Sequence, residues 1–245
     1  MNEIPLMEFT AAPADGRVFS QGLRPGLADC APSGRIRLDA LARWLQDVAY
    51  ADVEDAGLAE HAVWVIRRSR VHVQRFPRFH ERFELATFCS GLGRMWAERR
   101  TTIARGGEVD VEAVALWVHL DPRSQRPTPL TEEELTTYGS GAAAHRRVTA
   151  RLRHPAPPER PPSSTPWRFR ATECDLAGHI NNSAYWQPLE EELLAGGELN
   201  AIDIEIEYRT PAQPGDKRFV ADGDWRWLLD EEGQPHASMR ILDRE

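Results

Sequence analysis

The chain is poor in the residues and patterns that mark most chemistries. It has three cysteines in 245 residues, and Cys30, Cys89 and Cys174 stand too far apart for a CxxC or Cys/His ligand spacing, which argues against a disulfide framework and a zinc site. Reduced thiols, no metal and a cytoplasmic location are expected. The first residues, MNEIPLMEFTAAPADG, carry an acid and a proline where a secretory signal has a basic start and a long apolar run. No stretch approaches the ~20 apolar residues of a membrane span, so no membrane partner is expected. Positive charge is short too: 30 Lys and Arg against 38 Asp and Glu give a net charge of -8, the wrong sign for a general nucleic-acid binder. A GxSxG elbow, a Walker loop and a Rossmann glycine fingerprint are all missing, so no serine nucleophile, nucleotide or other cofactor is called for.

What is present is enough apolar residue, 41%, for a real core in one large domain or two small ones. The chain is punctuated at residues 155–166, PAPPERPPSSTP, where proline removes backbone donors and holds an extended path. This reads as a linker between a first module with a trailing loop, residues 1–154, and a second module, residues 167–245.

The two parts begin alike. ADCAPSGRIRLDALARWLQDVAYADVEDAG stands near the start of the first, and TECDLAGHINNSAYWQPLEEELLAGG follows the linker. Aligning Gly34 with Gly178 sets Arg35 against His179, Ile36 against Ile180, Leu41 against Tyr185 and Leu45 against Leu189. In the first copy Leu38, Leu41, Leu45, Val48 and Ala49 recur at helical spacing and leave Arg37, Arg43 and Asp47 outside. In the second, Asn182 is the expected cap and Gly196-Gly197 the stop. After each helix the period changes to strands, as in RFELATFCSG and MWAERRTTIA, or in AIDIEIEY, whose Ile202, Ile204, Ile206 and Tyr208 alternate with acids. One helix followed by several antiparallel strands, written twice, predicts an α+β protein of tandem hotdog architecture, each module a central helix wrapped by a curved sheet.

The densest polar cluster is Asp175, His179, Asn181 and Asn182, at the turn before the second helix. His179 reads as a base or hydrogen-bond relay and Asp175 as the group that orients it. Gly178, Ile180 and the N–H groups at the helix start read as turn and oxyanion donors. The same residues also read as a cap, a turn glycine and a satisfied histidine. Only the second copy carries the histidine, so one copy is expected to hold the chemistry and the other to shape a pocket. Trp64, Trp96 and Trp117 are core residues or contacts for an apolar ligand. Arg67, Arg68, Arg70, Arg75, Arg78 and Arg82, with Arg146, Arg147, Arg151 and Arg153, read as solvated faces or as a patch for an acidic partner.

These segments resemble the acyl-acyl carrier protein (acyl-ACP) thioesterases of plants and bacteria. WVIRRSRVHVQRFPRFHERFELATFCSGLGRMWAERR and VEAVALWVHLDPRSQRPTPLTEEEL are similar to the first domain of that family. DLAGHINNSAYW and IEYRTPAQPGD are similar to the second, and the likeness runs in order along nearly the whole chain. The resemblance implies a tandem hotdog thioesterase that takes a fatty acyl group from the phosphopantetheine arm of acyl carrier protein, with Asp175 and His179 on catalytic positions and Asn181-Asn182 on the paired asparagines. It implies chain-length selection chiefly in the first domain. Two departures stand out: Ala177 where plant members have asparagine, and Pro211 or Ala212 where they have glutamate or cysteine. DLAGHINN also resembles acyl-CoA hotdog thioesterases whose water-activating acid sits on the central helix, which would make Glu190 or Glu191 that acid. An acyl-CoA thioesterase, a non-catalytic acyl-thioester binding module and a hotdog dehydratase are the rival readings. Pairing of two chains across a two-fold axis stays open.

Overall fold

The computed structural model describes residues 6–60, 63–140, 146–197 and 199–244. In chain order the elements are β1 (Val18–Leu23), α1 (Leu38–Asp55), β2 (Val63–Val73), β3 (Phe83–Leu92), β4 (Trp96–Arg105), β5 (Glu108–Leu120), α2 (Glu132–Tyr138), β6 (Ser163–Phe169), α3 (Gln187–Ala195), β7 (Ile202–Tyr208), β8 (Gly215–Asp222), β9 (Trp225–Leu229) and β10 (Pro235–Arg244). The strands form one antiparallel sheet in the order β1-β3-β4-β5-β2-β7-β10-β9-β8-β6. The first five strands of that order belong to one hotdog module and the last five to the other, so the two join along β2 and β7.

The register of that join carries an internal two-fold. Arg68 lies opposite Glu207, Arg70 opposite Glu205 and His72 opposite Asp203. Exchanging the strands maps the outer two pairs onto each other about the central one, and Arg70 clamps the seam through Nη2 to Asp203 Oδ2 at 2.7 Å. Ile202, Ile204 and Ile206 of β7 enter the core on one face, as the alternation predicts. The acids of the other face are buried as well, because chain crosses over them: Met7 N–H donates to Glu205 at 2.9 Å, and Arg153 and His154 N–H groups to Glu207 at 2.6 and 3.0 Å. Alternation marks two faces and cannot reveal that a distant segment covers the polar one.

α1 buries Leu38, Leu41, Val48 and Ala49 as the helical spacing requires. It also buries Asp52, which is held by Arg17 Nε at 2.6 Å and Arg99 Nη1 at 2.5 Å. The second helix begins differently. A 3-10 turn, Asn182–Trp186, leads into α3, and Asn181 rather than the expected Asn182 caps it through its side-chain oxygen. Pro188 stands in the first turn of α3 and lacks the N–H that would continue a regular α-helix back through that turn. The strand β6 starts at Ser163 and takes in Pro166, both within the stretch read as linker. β6 is an edge strand, where a missing N–H costs no ladder bond. Among the described residues, no helix is long and apolar enough to cross a membrane.

Candidate active site

The two copies of the turn share one backbone. Cys30 bridges Ile36 and Cys174 bridges Ile180. Ala31 N–H donates to Arg35 O at 2.8 Å and Asp175 N–H to His179 O at 3.0 Å, while Ile36 N–H reaches Pro77 O and Ile180 N–H reaches Ala212 O, at 2.7 and 2.9 Å. Gly34 and Gly178 take φ of 85 and 76°, a left-handed turn that a side chain would strain. The alignment made on those glycines is therefore a structural equivalence.

The second turn collects the polar cluster. Asp175 accepts from Ala177 N–H at 2.9 Å and from Asn181 Nδ2 at 3.2 Å. Asn181 Oδ1 in turn accepts from Ser183 N–H and Oγ at 2.9 and 2.7 Å. His179 Nδ1 faces Asp175 Oδ1 at 3.9 Å, each side chain 25% exposed, and this nitrogen is shielded from solvent without a hydrogen-bond partner. Both Asp175 oxygens are thus held, Oδ2 by Asn181 and Oδ1 by the Ala177 N–H, and Oδ1 is also the oxygen that faces the imidazole. Its charge extends to α1 and α3's lead-in turn: the Tyr50 and Tyr185 hydroxyls are pushed up chiefly by burial and then by Asp175, Tyr185 to about 12.

Next in the chain after the cluster, Asn182 and Ser183 line a cavity with Gln46, Ile66 and Trp186. Arg99 and Trp117 pass from that lobe into a second one, walled by Tyr50, Val53, Trp64 and Tyr138. Each lobe has a volume of about 460 Å³ counting its open side, in the range of ligand clefts, roughly 300–1,000 Å³. Trp64 and Trp117 are cavity walls, whereas Trp96 is tied to Val148 O at 2.9 Å. The cavity runs along α1 inside the first module, and Asn182, Ser183, Trp186 and Tyr208 of the second complete its wall.

Residues 18–138 match the family model of the acyl-ACP thioesterase N-terminal domain. The first module carries the N-terminal domain of the acyl-ACP thioesterase family. An uncharacterised protein of Mycobacterium tuberculosis is 27% identical over 213 residues, 83% of this chain and 82% of that one. The oleoyl-acyl carrier protein thioesterase 2 of Arabidopsis thaliana is 23% identical over 73% of this chain and 55% of its own length. Among solved structures, the 12:0-ACP thioesterase of Umbellularia californica superposes with a TM-score of 0.74 at 16% identity, covering 93% of this chain and 98% of that one. An acyl-ACP thioesterase of Bacteroides thetaiotaomicron gives 0.77 at 15% identity, with coverage of 93 and 98%. At these identities the superpositions establish the double hotdog fold.

Several residues singled out from sequence stand elsewhere than expected. Glu190 is buried and faces the other module: its Oε1 lies 2.9 Å from Arg35 Nη2, and its Oε2 accepts from Leu38 N–H at 3.0 Å. A carboxylate so engaged is not available to activate water. Glu191 is exposed on α3, away from the turn's bonded cluster. The oxyanion role expected of Gly178 and Ile180 meets the same objection, since their N–H groups already donate to Asp175 O and Ala212 O. The Asn182 N–H has no acceptor among the described residues.

The departures from the plant pattern are filled by backbone. Ala177 offers its N–H to Asp175. Ala212 is fully buried, gives its N–H to Tyr185 Oη at 2.7 Å and its carbonyl to Ile180, and Pro211 is exposed. Arginines of the first run clamp the interior: Arg67 donates to Tyr208 and Arg209 carbonyls, Arg75 to Asp110 and Glu81, and Arg68 is buried. One cluster among the described residues has metal-ligand spacing, His154 with Glu205 and Glu207. Its carboxylates already take the N–H groups of Met7, Arg153 and His154. Sequence reasoning missed Gln46, Tyr50 and Arg99; Ala49 of the helical stripe lines the cavity beside Tyr50, but periodicity cannot say that a stripe borders a cavity.

Proposed function

We propose that this protein is a thioesterase that hydrolyses fatty acyl thioesters, with acyl-ACP preferred over acyl-CoA. The observation that carries the reading is the polar turn of Asp175, His179 and Asn181 leading directly into Asn182 and Ser183, which line an apolar cavity shared with the other module. A thioester has a good leaving group, so hydrolysis asks mainly for a positioned water, a base and donors to the developing oxyanion. His179 Nε2 takes a proton from water as the water oxygen bonds to the acyl carbon. Asp175 accepts the Nδ1–H, closing the 3.9 Å gap in the substrate complex. The oxyanion forms against the Asn182 N–H at the start of the 3-10 turn. As it collapses, the C–S bond breaks, its electron pair leaves on sulfur and the thiolate takes the proton from the imidazolium. Free acid and thiol are the products, and the scheme needs no cofactor.

The first module supplies the cavity for the chain and the second the reacting groups. Carrier-linked substrate is favoured by the match of the first module to the acyl-ACP thioesterase domain. A non-catalytic acyl-thioester binder is the second reading, supported by Ala177, Pro211 and Ala212 standing where plant members place polar groups. Free-thiol release from matched acyl-ACP and acyl-CoA substrates over a range of chain lengths separates the two. Turnover that prefers the carrier supports the proposal; bound acyl ligand without thiol release overturns it.

A further inference from the structure

The pseudo-two-fold that carries Gly34 onto Gly178 and Leu38 onto Asn182 also carries Gln46 of α1 onto Glu190 of α3. Glu190 displays what that helix position reaches. Its Oε2 sits on the helix-start N–H of Leu38 at 3.0 Å, 3.3 Å from Arg35 Nη1, so in this half a negatively charged oxygen is held by a backbone N–H and by the residue equivalent to His179. In the other half α1 packs against the 182–186 turn, and Gln46 lines the cavity mouth together with Asn182 and Ser183. Its amide makes no hydrogen bond among the described residues, and neither does the Asn182 N–H. Two donors, one from each module, therefore border the cavity mouth unpartnered.

We propose that Gln46 is a catalytic residue whose side-chain amide donates to the thioester carbonyl oxygen beside the Asn182 N–H, so that the oxyanion site is built across the module boundary. The inference rests on the thioesterase reading above. The Leu38 N–H that Glu190 occupies in the closed half is the counterpart of the Asn182 N–H left for the substrate oxygen in the open one. The residue types fit this division. A carboxylate on α1 would repel the developing negative charge and pair with a protonated His179, closing the site as Glu190 closes its own. A neutral amide keeps the site open and offers an N–H that strengthens as charge grows on oxygen.

The test is steady-state thiol release by Gln46→Ala, Gln46→Met and Gln46→Glu, with wild type and His179→Ala measured alongside. Loss of one oxyanion donor lowers kcat by roughly 10²–10³-fold. The expected result is a fall of that order in all three variants with KM within about threefold of wild type, because the contact strengthens in the transition state. Gln46→Met keeps the length of the side chain and guards against a packing defect in Gln46→Ala. A KM that rises while kcat holds makes Gln46 a mere wall of the cavity and overturns the inference, as does kcat within threefold of wild type in Gln46→Met. If wild type turns over normally and only the Gln46 variants are unimpaired, the thioesterase reading stands without this residue. Absence of thiol release from wild type removes both.

Discussion

At the start of α1 the Arg35 guanidinium lies buried against Glu190 with Phe76 stacked over it at 4.8 Å. At the equivalent place before α3 the His179 imidazole stays a quarter exposed, with Asp175 3.9 Å away and the opposing helix offering the neutral Gln46. The turn backbones correspond, from the bridge between Cys30 and Ile36 and that between Cys174 and Ile180 to the positive φ of Gly34 and Gly178. Side chains alone decide that one half is shut by an ion pair and the other keeps a mouth onto a cavity. The fold thus fixes two equivalent places, and on the proposed reading Arg35, Glu190, His179 and Gln46 leave one of them as the site.

The largest expected effect falls on the open half. Replacing a general base costs about 10²–10⁴-fold in rate, so His179→Ala should lose thiol release by that factor while its far-UV circular dichroism stays that of wild type. Arg35→Ala should instead unfold the protein more readily and leave residual turnover at the other site; equal losses of activity per folded molecule would break the contrast. Next comes the closed half. Removing one partner of a buried ion pair costs about 3–5 kcal/mol, and Glu190→Ala additionally strands the Leu38 N–H. Urea unfolding should lose that much, and the double variant Arg35→Met with Glu190→Met should recover most of it, since no lone charge is left inside. A Glu190→Ala protein of unchanged midpoint would show that the pair is not what shuts this half. The smallest effect tests the shared frame. Neither glycine has a heavy atom within 4 Å of where a Cβ would stand, so Gly34→Ala and Gly178→Ala should each cost about 1–2 kcal/mol from backbone strain alone. Unequal costs would mean that the turns are less alike than their hydrogen bonds.

Much of this frame was legible in the sequence. The glycines could be aligned because a left-handed turn admits little else, and β7 could be recognised because Ile202, Ile204, Ile206 and Tyr208 recur with period two. The polar turn was found through residue type, and the structure brings Asp175, His179 and Asn181 together there. Other features left no mark. The N–H of Ile180 is taken by the carbonyl of Ala212, and a backbone acceptor has no signature in a string of letters. Glu190 looked like a helix acid facing its own turn, whereas its partner lies 155 residues earlier in the chain. Ser163 to Pro166 read as linker because proline is scarce in sheets, yet an edge strand accepts it. Gln46 was within reach: once Gly34 is set against Gly178, position 46 falls on Glu190, and a neutral residue opposite a charged one is the trace of the site's asymmetry.

The seam between β2 and β7 has a consequence for how such a site can arise. In two identical chains meeting along that seam, every substitution would appear in both turns at once, and a residue that plugs one mouth would plug its twin. With both strands in one polypeptide, Arg68 facing Glu207 and His72 facing Asp203, a change at one turn touches one turn only. Covalent continuity is what allows half of a symmetric shape to give up its opening for rigidity while the other half keeps it.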